Sequence, residues 1–160
     1  MAAESTPPYR FGDLVALARL SWVGQMTSRL EELGYAGFRR GDAAVMRVLL
    51  REPLPVGRLG EALGVTRQAA RKVADALEQR GYATTERDSR DARQLNITLT
   101  PVGRDYAGAV TAVTEQLNRE VAGRVSPAQL AAADAVLRAA LFDDHARQRA
   151  SRIPPPAAEP

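Results

Sequence analysis

Within Thr66 to Gly103 the hydrophobic repeat switches from helical to strand-like and back to helical, leaving room for only one helix, one hairpin and the start of a second helix. Thr66 has a side-chain oxygen placed to cap the free N–H groups of a helix starting at Arg67. From there Ala70, Val73, Ala74 and Leu77 recur at three- and four-residue spacing, which leaves Arg67, Gln68, Arg71, Lys72, Asp75 and Glu78 on the other faces. Gly81 suits the left-handed turn that closes a helix, and Arg80 before it complements the negative end of the helix dipole. Tyr82 to Arg87 is rich in Thr and aromatic character, and Leu95, Ile97 and Leu99 alternate with Gln94, Asn96 and Thr98, the period of half-buried strands. The connection Asp88-Ser89-Arg90-Asp91-Ala92-Arg93 is too polar to bury and too short to do anything but project. Thr100-Pro101 then starts a new helix, with a capping hydroxyl and Pro at the first helical position.

A short basic helix joined to an Arg-studded hairpin suits contact with nucleic acid. Upstream, Pro55 to Val65 reads as a short helix with Val56, Leu59 and Leu63 apolar, then a Gly64 turn into the Thr66 helix, which is helix-turn-helix spacing. The run Leu63-Gly64-Val65-Thr66, the wing Asp91-Ala92-Arg93 and the run Leu99-Thr100-Pro101-Val102-Gly103 together closely resemble the MarR family of winged helix-turn-helix transcriptional regulators. The resemblance covers about residues 10–148. It implies a mainly α fold with six helices and one β-hairpin wing, the N- and C-terminal helices forming a dimerisation region. It also implies a sequence-specific DNA-binding transcriptional regulator, a homodimeric repressor relieved by a small-molecule effector, acting on a pseudo-palindromic double-stranded operator. The alternative is a winged-helix protein-interaction module that does not bind DNA.

Charge is distributed as a DNA-binding reading requires. Residues 39–104 hold 13 basic and 8 acidic residues, net +5, whereas the rest of the chain holds 9 and 11, net −2. The 160 residues, 45% hydrophobic and 26% charged, suit one domain with a real core. No stretch approaches a membrane span, and the N-terminus has neither the basic start nor the apolar run of a signal peptide, so a cytoplasmic location is the expectation. With no Cys, disulfides, thiolate chemistry and cysteine-based redox sensing are excluded.

Along the chain, residues 1–8 and 149–160 read as flexible tails, the second rich in Pro, and residues 9–148 as a single winged-helix domain. The DNA-binding lobe spans 42–100 and the dimerisation helices 9–33 and 101–148. The first helix carries Leu14, Leu17, Leu20, Met26, Leu30 and Leu33 as an apolar stripe, and the second starts near Asp42, read as its N-cap, and ends before Pro53. A helix from Pro101 to about Val121 is followed by one from Ser126 to about Arg147, opened by the capping sequence Ser126-Pro127-Ala128-Gln129. Many Ala residues on these two helices allow the close approach an intertwined dimer uses.

The resemblance implies a recognition helix in the major groove and a wing tip in the minor groove. It picks out Thr66, Arg67, Gln68, Arg71 and Lys72 for the first, with Gln68 suited to adenine and Arg67 to guanine. For the second it picks out Arg93, shaped by the wing-structuring Asp91, with Arg87 and Arg90 adding phosphate contacts. Ala92 stands where many family members carry a second Arg, which shifts wing affinity onto Arg90 and Arg93. The family's effector cleft maps onto Trp22, Met26, Tyr35, Phe38 and Met46, with Arg29 and Arg47 as anion partners and aromatic or phenolic compounds as the implied ligands.

Nothing points to catalysis or to a cofactor. There is no Ser-His-Asp or Cys-His constellation and no Gly-rich phosphate loop after a strand. The only His, His145 beside Asp143 and Asp144, reads as a cation near the end of the last helix rather than as a metal site.

Overall fold

A computed structural model describes residues 10–88 and 94–151. The chain divides into two units, residues 1–40 and 41–160. The first holds helix α1 (Phe11–Glu32), which contains the expected apolar stripe. That stripe is split: Met26 and Leu30 are buried, while Leu14, Leu17, Leu20 and Leu33 are 58–69% exposed. Only the C-terminal half of α1 therefore buries apolar side chains of the stripe.

The second unit runs α2 (Asp42–Leu49), β1 (Leu54–Pro55), α3 (Val56–Leu63), α4 (Arg67–Gln79), β2 (Ala83–Arg87), β3 (Leu95–Leu99), α5 (Pro101–Ala122), α6 (Pro127–Ala139) and α7 (Asp144–Ala150). Its core is built from the inward faces of five elements: Val45, Met46 and Leu49 from α2, Leu59 and Leu63 from α3, Ala70, Ala74 and Leu77 from α4, Ile97 and Leu99 from β3, and Tyr106, Val110 and Val113 from α5. This is a mainly helical winged-helix fold, as the period changes in the sequence require.

Two additions to the expected elements have local causes. The hairpin is part of a three-stranded antiparallel sheet in the order β1-β3-β2, with Leu54 opposite Ile97 and Pro55 opposite Asn96. Leu54-Pro55 escapes a periodicity reading because two residues show no period, and Pro55 is tolerated because β1 is an edge strand. Seven helices rather than six occur among the described residues, because the expected helix 126–147 breaks after Ala139. Asp143 adopts an extended conformation and its side chain accepts a hydrogen bond from Ala146 N, so it caps a separate α7. His145 accordingly lies in the first turn of a helix and not, as expected, near a helix C-terminus.

The turns form by the expected local chemistry. Gly64 and Gly81 have φ of 65° and 72°, closing α3 and the end of α4. Thr66, Thr100 and Ser126 cap α4, α5 and α6, and Ser126 with Gln129 forms a complete capping box. Gly60 lets α3 and α4 approach closely, since a Cβ there would lie 3.3 Å from the Ala70 methyl and 3.1 Å from the Val65 carbonyl oxygen. Gly103 does the same for α5, where a Cβ would overlap the Tyr82 carbonyl.

Candidate nucleic-acid interface

Helix α4 is built to present its first turn. Thr66 Oγ1 accepts from Ala69 N at 3.1 Å, satisfying one of the free donors that every helix start carries. Ala70, Ala74 and Leu77 fix the opposite face in the core, so Thr66, Arg67, Gln68 and Lys72 emerge exposed on the outer side. Arg71 also lies on this side, half-exposed, with its Nε 2.8 Å from Asp75 Oδ1. Such an exposed intrahelical pair contributes only a few tenths of a kcal/mol, so Arg71 is held in place without being committed to Asp75. The five expected recognition residues thus share one exposed end of one helix.

The far end of α4 is anchored by a cluster that the sequence reading missed. Arg80 Nη1 lies 3.2 and 3.0 Å from the two carboxylate oxygens of Asp42, and its Nη2 is 3.3 Å from the Tyr106 hydroxyl. That hydroxyl donates to Asp42 Oδ2 at 2.6 Å. The Tyr82 and Tyr106 rings stack with centroids 4.3 Å apart, and the Arg80 guanidinium approaches both, 4.7 Å from the first and 5.3 Å from the second. Burial holds the Tyr106 phenol above its ordinary range, and its hydrogen bond to the Asp42 carboxylate adds to this. Burial alone would lower the Arg80 pKa, but Tyr106 and Asp42 together raise it.

This cluster corrects two expectations. Asp42 is not the N-cap of α2: Gly41 holds that position, and the Asp42 carboxylate is buried against Arg80 and Tyr106. Arg80 is chiefly an ion-pair partner for α2 and a hydrogen-bond donor to α5, not a charge placed against a helix dipole. Gly41-Asp42 looks locally like any helix start, and Tyr106 is 64 residues from Asp42, so no sequence period links them.

The wing is tied to α4 from its base. Glu78 accepts from Thr85 N and Thr85 Oγ1, each at 3.1 Å, and Thr100 Oγ1 donates to the Gly81 carbonyl at 2.7 Å. Towards the tip, Asp88 N donates to Gln94 O and Asn96 Nδ2 donates to Asp88 Oδ2 at 2.8 Å, so the described strands close on Asp88. Arg87 is exposed at the end of β2. Arg90, Asp91 and Arg93 lie outside the described residues.

Residues 36–94, which hold the helix-turn-helix and most of the hairpin, match a model of the MarR family. The whole fold agrees. A MepR–DNA complex of S. aureus is 17% identical with a TM-score of 0.69, covering 81% of this chain and 94% of that one. The PcaV transcriptional regulator of Streptomyces coelicolor is 20% identical with a TM-score of 0.69, covering 82% and 94%. PcaV in complex with its natural ligand is 21% identical with a TM-score of 0.66, covering 87% and 96%. No curated protein sequence matches the chain.

The effector candidates divide between the two units. Trp22, Met26 and Arg29 lie on α1, with Tyr35 and Phe38 in the segment after it; Met26 is buried and the other four are half-buried. On α2, Met46 is fully buried as core and Arg47 is exposed. Among the described residues no group of acidic or His side chains could hold a metal ion, and no helix is long and apolar enough to cross a membrane.

Proposed function

We propose that the chain is a homodimeric, sequence-specific DNA-binding transcriptional repressor that responds to a small molecule. The observation that carries this is the first turn of α4, where Thr66, Arg67, Gln68 and Lys72 emerge exposed from a helix whose other face and far end are locked in the core. Arg67 and Gln68 read bases in the major groove, while Arg71 and Lys72 hold phosphates. Arg87, Arg90 and Arg93 serve the wing, with Asp91 shaping its tip, and Arg93 enters the minor groove. A winged-helix module used only for protein contact has no need of this basic face.

A second copy covers the apolar side chains that one chain leaves exposed: Leu14, Leu17 and Leu20 on α1, Leu137 on α6, and Phe142. The two recognition helices then face half-sites about one helical turn apart, which gives a pseudo-palindromic operator. The candidates for an aromatic or phenolic effector are Trp22, Met26, Arg29, Tyr35 and Phe38 in the first unit and Met46 and Arg47 in the second. The S. aureus MepR–DNA complex and the ligand complex of S. coelicolor PcaV lend this reading support by analogy of fold. A protein bound to an operator resides with the chromosome, in the cytoplasm, and performs no catalysis.

The test is a mobility shift with the DNA upstream of the protein's own gene. Salt-sensitive binding at nanomolar protein is expected, weakened at least tenfold by Arg93→Ala, on the order of one lost charged contact. Absence of salt-dependent binding to any duplex refutes the reading, and a monomer in sedimentation at micromolar protein refutes its dimer.

A further inference from the structure

The second unit contains a cavity of about 720 Å³ between α2, β1, α3 and α7. Its volume lies within the range of sites that hold small organic molecules. Four arginines line it. Arg58 is paired with Glu61 at 2.7 Å, but Arg47, Arg51 and Arg149 have no hydrogen-bond or ion-pair partner for their guanidinium groups among the described residues. Against these three stands one other carboxylate, Glu52, also without a partner among the described residues, which leaves the lining with two positive charges in excess. Three like charges around one cavity repel one another, and an anion with two charges relieves this. The rest of the wall is apolar, with Val48, Leu54, Leu63 and Leu141, and accepts a ring or short chain.

We propose that this cavity binds a small organic dianion, its charged head on Arg47, Arg51 and Arg149 and its apolar body against Leu54, Leu63 and Leu141. Arginine suits the task because its planar fork pairs bidentately with phosphate or carboxylate oxygens. Its lining includes no residue of the exposed turn of α4, and Arg47 is the one residue it shares with the effector candidates. Arg149 also lies on the helix-turn-helix corner, since a Cβ on Gly64 would come within 2.9 Å of its Cδ. The occupant therefore draws on a side chain that rests against the turn before α4.

Phenyl phosphate is the probe, followed by calorimetric titration of the full chain without DNA, so that failure here is distinct from failure of operator binding. One saturable site per chain is expected, with inorganic phosphate and benzyl alcohol each binding at least tenfold more weakly because each supplies half of the recognition. Arg51→Gln with Arg149→Gln is expected to weaken phenyl phosphate at least tenfold at an unchanged melting temperature. If that double variant fails to fold, Arg47→Gln alone is read the same way, with a loss of at least threefold expected. Undiminished binding by the variant, or inorganic phosphate binding as tightly as phenyl phosphate, overturns the proposal.

Discussion

The two ends of helix α4 use the same residue type in opposite ways. At the N-terminal end Arg67 stands exposed beside Gln68 and Lys72, on the surface proposed to meet base edges and phosphates. At the C-terminal end Arg80 is 15% exposed and holds Asp42 from α2, Tyr106 from α5 and the Tyr82 ring. One arginine is left at the surface by the fold and the other is enclosed by it. A helix that must hold its position in a groove needs its far end fixed, and the Arg80 cluster supplies that fixity to the first turn.

The largest effect that tests this contrast is at the anchored end. Asp42→Ala leaves Arg80 with its charge partner removed, and a stability loss of about 3 kcal/mol is expected in urea denaturation, as when one member of a buried pair is deleted. A loss under about 1 kcal/mol would break the comparison, showing the cluster to be no firmer than a surface pair. At the exposed end, Arg67→Ala or Gln68→Ala is expected to leave stability within about 0.5 kcal/mol. Each should instead weaken operator binding by about 2 kcal/mol, roughly thirtyfold, in fluorescence anisotropy.

Tyr106→Phe removes the hydroxyl shared by Asp42 and Arg80, at an expected cost of about 1.5 kcal/mol. It also carries a pH signature. Because folding raises the Tyr106 pKa, the stability it contributes is fully present below the ordinary tyrosine value of 10 and is lost as pH rises above it. The melting temperature of the wild-type chain should therefore fall more steeply above about pH 10 than that of Tyr106→Phe; identical slopes would remove Tyr106 from the anchor. The smallest effect belongs to the boundary residue. Thr66→Ala loses the cap on Ala69 N, for about 1 kcal/mol of stability measured by thermal unfolding, with operator binding weakened in parallel as the first turn frays.

What was legible in the sequence is what local physics decides. Thr66, Thr100-Pro101 and Ser126-Gln129 each act on backbone groups within three residues, and Gly64 and Gly81 act on their own φ angles, so these features could be placed from the chain alone. The exposed residues of α4 were legible because burial of Ala70, Ala74 and Leu77 leaves the opposite face no alternative. Asp42 was misread for the complementary reason. An Asp at a helix start is a good cap in any sequence, and only the arrival of Arg80 and Tyr106 from distant elements gives its carboxylate a better partner. The strand Leu54-Pro55 and the separate α7 were likewise too short to show a period.

By itself, then, the sequence determined the order of elements, the caps and turns that bound them, and which side of α4 faces outward, because each follows from interactions a few residues long. Tertiary structure alone decided that Arg80 anchors α4 to α2 and α5, that Asp42 is an ion-pair partner, and that Arg47, Arg51 and Arg149 line one cavity. Those roles depend on contacts between side chains far apart in the chain, and an isolated arginine carries no sign of which role it will take until its neighbours are in place.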